Sequence, residues 1–234
     1  MVKDINTDRQ KGRDLKRRVL EILKSENLDQ VLDELCRLPA RQVVNSLFSS
    51  LCSSDEQIKW RAVTAMGTVV VNLAHEDIES ARMIIRRLMW SLNDESGGIG
   101  WGAPEAIGEI LACHERLARE YANILTSYIK EDGNFLEHEP LQKGAMWGVA
   151  RLAQVRPHLI QDAKSYLIQR LDSSDARVKA LAALTLGLLG AEEVRLQLEG
   201  LSRDDTEIHL YLDRKMGIRR VCELAELALA TMPK

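Results

Sequence analysis

The chain has 234 residues, a formal net charge of −3 and a pI near 6.0. That balance gives no overall attraction for a nucleic-acid backbone or an anionic membrane, and the apolar runs are too short to span a bilayer. Cys36, Cys52, Cys113 and Cys222 show no CxxC or metal-ligand spacing and the first residues carry no signal-peptide pattern, so the expectation is a cytoplasmic protein with reduced thiols, no metal and no cofactor.

From the N-terminus, Leu15, Val19, Leu20, Ile22 and Leu23 place an apolar stripe on a first helix, and the basic run Lys11 to Arg18 forms its solvated face. With a second helix over Leu28–Leu38 it makes an N-terminal cap, residues 1–38. Pro39 opens a helix reaching Cys52. Ser53, Ser54 and Asp55 form an N-cap cluster for a helix to about Ala74, and Asp77–Leu92 follows with Ile78, Ala81, Ile84, Ile85, Leu88 and Met89 at helical spacing.

A glycine-dense segment, Gly97, Gly98, Gly100 and Gly102 around Trp101, predicts irregular backbone until Pro104 starts the next helix with Glu105 in its first turn. Two readings stand side by side. The segment is either a cradle of free amides for an anion or peptide carbonyl, or an insertion that lets two layers pack closely. His114–Ile129 is the next helix, closed by the turn Glu131–Asn134, and in Leu141–Ala153 the one-turn spacing of Gly144 and Gly148 points to close approach of a neighbouring helix. Pro157 begins a helix with Ile160, Ala163, Tyr166 and Leu167 facing in, ahead of Asp175–Gly190 and Glu192–Leu201. Residues 204–234 read as a C-terminal cap, although Leu210–Gly217 does not follow the helical pattern.

Asp175–Gly190, DARVKALAALTLGLLG, is a complete helical template, and weaker copies begin at Asp55, Trp101 and Leu141. The closing residues Gly67, Gly108, Ala150 and Gly187 recur about forty residues apart, the period of stacked helix pairs. The fold class expected is all-α: an α-α superhelix of stacked antiparallel helix pairs in one domain, residues 1–234, with repeats over 39–203.

The pattern Asp-x-x-Val-Lys/Arg-x-Ala-Ala-x-x-Leu-Gly at Asp175–Gly187 resembles the HEAT-like (PBS-lyase type) repeat family. That resemblance implies that the motif helices line a concave face. The positions equivalent to Arg177, Ala180, Leu184 and Leu188 are then Gln57, Trp60, Thr64 and Thr68 in the first copy, Gly98, Trp101, Glu105 and Glu109 in the second, and Pro140, Lys143, Trp147 and Arg151 in the third. Three tryptophans, Trp60, Trp101 and Trp147, fall on this face among Glu105, Glu109, Lys143 and Arg151, either folded down to fill gaps between layers or standing out as anchors of a groove. Aromatic anchors with flanking charges are how recognition surfaces concentrate their energy, so a protein- or peptide-binding scaffold without catalytic residues is the leading expectation.

Two enzymatic relatives set alternatives. HEAT-like DNA alkylpurine glycosylases carry an acid one turn after a concave tryptophan, and Trp101 with Glu105 resembles that pair, with Glu for Asp and Lys143 for Arg. Deoxyhypusine hydroxylase carries His-Glu pairs that bind iron. Here His75-Glu76, His114-Glu115 and His138-Glu139 stand at different ends of their helices and do not converge.

Overall fold

The repeat pattern becomes helices capped by the residues the sequence offers for the purpose. The computed structural model describes residues 2–93 and 100–232, which fall into two compact units, Met1–Ala106 and Ile107–Lys234.

The first unit contains α1 (Val2–Leu23), α2 (Leu28–Cys36), α3 (Ala40–Leu51), α4 (Glu56–Glu76) and α5 (Ile78–Leu92), and α6 (Ala103–Cys113) begins in it. α1 starts well before the apolar stripe at Leu15 that announced it. Side-chain oxygens hold the orphan amides of three helix starts: Asn27 accepts from Gln30 N at 3.2 Å, Asp55 from Gln57 N at 2.9 Å, and Asp77 from Ser80 N at 3.1 Å. α4 is wrapped by its neighbours, with Ala62, Val63, Met66, Val69 and Val70 fully or almost fully buried. It also buries Arg61, whose guanidinium donates to the carbonyls of Leu23 at 2.9 Å, Ser25, and Glu26 at 3.2 Å. A cation placed on the carbonyls that end α1 compensates its own desolvation, because those acceptors have no partner within their helix.

The second unit contains α7 (Glu115–Ser127), α8 (Glu139–Val155), α9 (Lys164–Gln169), α10 (Ala176–Leu188), α11 (Arg195–Leu201) and α12 (Val221–Thr231). The template helix α10 is buried on almost every side, packing on α8 and α12. Its alanines and glycine set how near those neighbours come: a Cβ on Gly187 would lie 2.3 Å from the Ala228 Cα, and one on Gly108 would lie 2.3 Å from the Gly148 Cα. The close approach expected at Gly148 is therefore real, and Gly108 is its other half. Gly190, at φ +64°, ends α10: its own N–H reaches Gly187 O and the Ala191 N–H reaches Leu186 O, each at 3.0 Å.

Two expectations need correction. Pro157 does not open a long helix; it begins short 3-10 turns, Pro157–Leu159 and Gln161–Ala163, before the single-turn-scale α9. The C-terminal section is not wholly helical either. Glu207–Leu212 (β1) pairs antiparallel with Lys215–Arg220 (β2), Leu212 opposite Lys215, around a two-residue turn in which Asp213 and Arg214 take φ 52° and 60°. Two successive positive φ values match the twist of a hairpin. Residues 204–232 thus hold this hairpin followed by α12, and all the other described secondary structure is helical.

Candidate functional site

In the first unit α4 carries Trp60 and its neighbour Lys59, while Trp101, Gly102 and the first turn of α6 carry the second motif copy. Trp60 is only 6% exposed, with the Lys59 Nζ 5.2 Å from its ring centroid. Glu105 is 3% exposed and takes an ion pair from the same Nζ at 2.7 Å. Trp101 differs: it is 45% exposed. The glycines beside it serve close packing. Gly102 has φ +76°, and a Cβ there would sit 2.9 Å from the Leu51 carbonyl oxygen; on Gly100 it would sit 2.8 Å from the Ser91 carbonyl oxygen. Gly100 O and Gly102 O accept the amides of Ala103 and Ala106 at 3.0 and 2.9 Å, which starts the hydrogen bonding of α6. Gly97 and Gly98 lie outside the described residues.

In the second unit Glu109, on α6, is 4% exposed and is gripped by Arg151 of α8, Nε at 2.6 Å and Nη2 at 3.4 Å. The Cys113 Sγ lies 3.5 Å from the same carboxylate. Burial, and then the Glu109 charge, push the Cys113 thiol up to about 11, so it is an inert thiol at neutral pH. Lys143 is held between Glu139 and Asp175, each at 2.6 Å. Trp147 is 6% exposed. Its Nε1–H donates to the Tyr211 carbonyl at 2.7 Å and its ring meets the Tyr211 ring at 6.2 Å between centroids. The hairpin therefore lies across this face of α8.

These positions correct the expectation that three indoles face solvent. Trp60 and Trp147 are packed beneath other groups, and Trp101 alone among them stands in solvent. Of the charges in the set, Glu105, Glu109, Lys143 and Arg151 are all committed to ion pairs.

The sequence reading missed why the motif carries a lysine. Lys59, Lys143 and Lys179 each stand four residues after an acid, namely Asp55, Glu139 and Asp175. Each reaches an acid further along the chain: Lys59 to Glu105 in the first turn of α6, Lys143 to Asp175 at the N-cap of α10, and Lys179 to Asp204 at 3.1 Å in the turn before β1. The acid that starts one layer thus receives the lysine of the layer before. The repeated Asp/Glu-x-x-x-Lys spacing was the available signal.

This pairing has a pH signature. Burial alone would raise Asp175, but the Lys143 ammonium and the amides of Val178 and Arg177 outweigh it and hold the carboxyl below the usual range. Lys143 is raised, chiefly by its hydrogen bonds to Asp175 and Glu139. A lowered carboxyl contributes stability above its unfolded pKa and loses it as pH falls through the folded value; a raised lysine contributes below its unfolded pKa and loses it as pH rises through the folded one. The pair should therefore hold from about pH 4 to about pH 10. Thermal melts of the wild type against Lys143→Met should differ most inside that window and converge in acid. An equal difference at about pH 2 would show that the lysine acts by packing alone.

The three His-Glu pairs serve helix ends. His114 Nδ1 accepts the Leu117 N–H at 3.3 Å as the N-cap of α7, His138 precedes α8, and His75 lies in the last turn of α4. Among the described residues no group of three or more His, Cys, Asp or Glu is placed to hold a metal ion, and no helix is long and apolar enough to cross a membrane. The fourth tryptophan, Trp90, is the most exposed of all at 77%. Sequence reasoning passed over it, although it lies on the face of α5 opposite Ala81, Ile85 and Leu88.

The architecture is an α-solenoid of stacked helix pairs. Residues 139–189, spanning α8 through α10, match the HEAT-like repeat family. An uncharacterized protein of Archaeoglobus fulgidus is 28% identical over 185 residues, covering 77% of this chain and 92% of that one. Among solved structures, the crystal structure of an engineered protein superposes with a TM-score of 0.54 at 18% identity, covering 93% of this chain and 96% of its own. A designed armadillo repeat protein superposes at 0.51 and 19% identity, covering 92% and 99%. Another, in complex with the peptide (KR)4, superposes at 0.50 and 17% identity, covering 92% and 98%. At these identities the likeness is one of fold.

Proposed function

We propose that this chain works without chemistry, as a cytoplasmic scaffold whose motif-helix face binds a protein or peptide segment. The observation that carries this reading is the contrast among the motif-face side chains: the carboxylates and cations are paired internally while Trp101 offers its indole to solvent. A visitor would therefore be held by insertion against an aromatic anchor, with little contribution from new ion pairs. The similarity in fold to a designed armadillo repeat protein in complex with a peptide supports the kind of partner. The glycosylase alternative has no supporting observation, since Glu105, the carboxylate it would use, is buried against Lys59.

An array of short synthetic peptides probed with the wild type and with Trp101→Ala tests the proposal. Peptides retained by the wild type should lose roughly tenfold or more of their affinity in the variant, as expected for an anchor residue, while the thermal midpoint stays in place. Undiminished retention by Trp101→Ala would remove this face from consideration.

A further inference from the structure

A second surface of the first unit has an accessible apolar floor and a charge to complement. Between α3 and α5, above Leu73 of α4, lies a cleft of about 280 Å³ whose apolar lining is Val44, Leu73, Met83 and Ile84. Its volume falls just below the range of pockets that enclose whole small molecules and suits the side chains of a docking peptide. Arg41 and Arg87 flank it.

The two arginines are not equivalent. Arg41 is neutralised by Asp77 at 2.9 Å. Among the described residues Arg87 meets neutral partners: its guanidinium is 4.0 Å from the Phe48 ring centroid and its Nη1 donates to Asn45 Oδ1 at 2.5 Å. Among the described residues neither Arg87 nor the adjacent exposed Arg86 has a carboxylate within ion-pair reach. Arg87 is thus oriented in advance but keeps its full charge, which lowers the ordering cost of meeting an anion.

Along α5, Met83, Arg87 and Trp90 stand at i, i+4 and i+7 on one face, and Met83 and Trp90 are 64% and 77% exposed. Seven residues of helix span about 10 Å, the spacing over which a second helix presents its own i, i+4 and i+7 side chains.

We propose that the α3–α5 cleft is a docking groove for an acidic amphipathic helix, which seats an aliphatic side chain over Val44, Leu73 and Ile84 and pairs a carboxylate with Arg87. Trp101 is not among the residues that line this cleft, and the proposal does not depend on the reading of the motif face.

The test uses the full chain and a synthetic helix-forming peptide with leucines at i, i+4 and i+7 flanked by glutamates. Two control peptides replace the glutamates by lysines or the leucines by serines. Anisotropy titrations should show the acidic leucine peptide binding at least tenfold tighter than either control, and Arg87→Glu or Met83→Ser should each weaken it by about tenfold. Amide shifts should be confined to α3–α5, Trp101→Ala should leave the affinity unchanged, and the lysine peptide should gain affinity for Arg87→Glu. Three results would overturn the proposal: no binding at millimolar peptide, equal binding of the lysine peptide to the wild type, or loss of binding in Trp101→Ala. A concentration-dependent dimer broken by Met83→Ser would also overturn it, by assigning the groove to a second copy of this chain.

Discussion

Replacing Trp147 by alanine should destabilise the second unit by about 3–5 kcal/mol, the usual cost of emptying a site filled by a large aromatic side chain. Three losses coincide. The indole is 94% withdrawn from solvent, given its 6% exposure; the Tyr211 carbonyl loses its donor; and the tilted contact with the Tyr211 ring disappears. Calorimetry should record a fall in the melting transition on the order of 10 °C. Amide exchange should show β1 losing protection first, because the side chain that fastens the hairpin to α8 is gone. Trp147→Phe separates the terms, since it restores most of the volume and removes the indole N–H that the Tyr211 carbonyl accepts, so it should cost about 1–3 kcal/mol. An alanine variant that melts with the wild type would mean that the hairpin is held by other contacts.

Arg151→Met should be nearly as damaging. The Glu109 side chain is 5% exposed, and without Arg151 its buried charge would lose the guanidinium that meets it at 2.6 Å. Breaking a buried pair from one side costs about 3–5 kcal/mol; the lower figure applies here because Arg151 itself keeps 24% exposure. Adding Glu109→Gln to Arg151→Met should recover part of the loss, as a neutral amide is easier to bury than an unpaired carboxylate. Urea titrations of the wild type, the single variant and the double variant at neutral pH measure this directly. A double variant less stable than the single one would show that the carboxylate has another stabilising partner.

The helical core was legible because periodicity and capping are local. Asp55 and Asp175 cap their helices as their place in the sequence implies, and the spacing of the closing glycines reports the layer repeat. The hairpin was obscured because its turn, Asp213-Arg214, has no glycine to advertise positive φ, and because Gly217 inside the second strand is a weak strand former. The exposure expected of Trp147 was wrong for a non-local reason. A helical wheel fixes the direction in which Trp147 leaves its backbone, but it is silent about a segment more than sixty residues later folding over that direction. Trp60 shows the same limit at shorter range, where Lys59 covers its ring. Trp90 was missed for the opposite reason, since attention to the motif helices left the outward side of α5 unexamined.

The lysines that leave α4, α8 and α10 for an acid further along the chain have an architectural consequence. The α10 layer carries its own acceptor, Asp175, and its own donor, Lys179, so a tandem duplication of it would arrive with both halves of its joint already in register. Elongating the array by copying would then require no compensating substitution at the new seam, and the polar part of the stacking energy would grow in proportion to the number of pairs added.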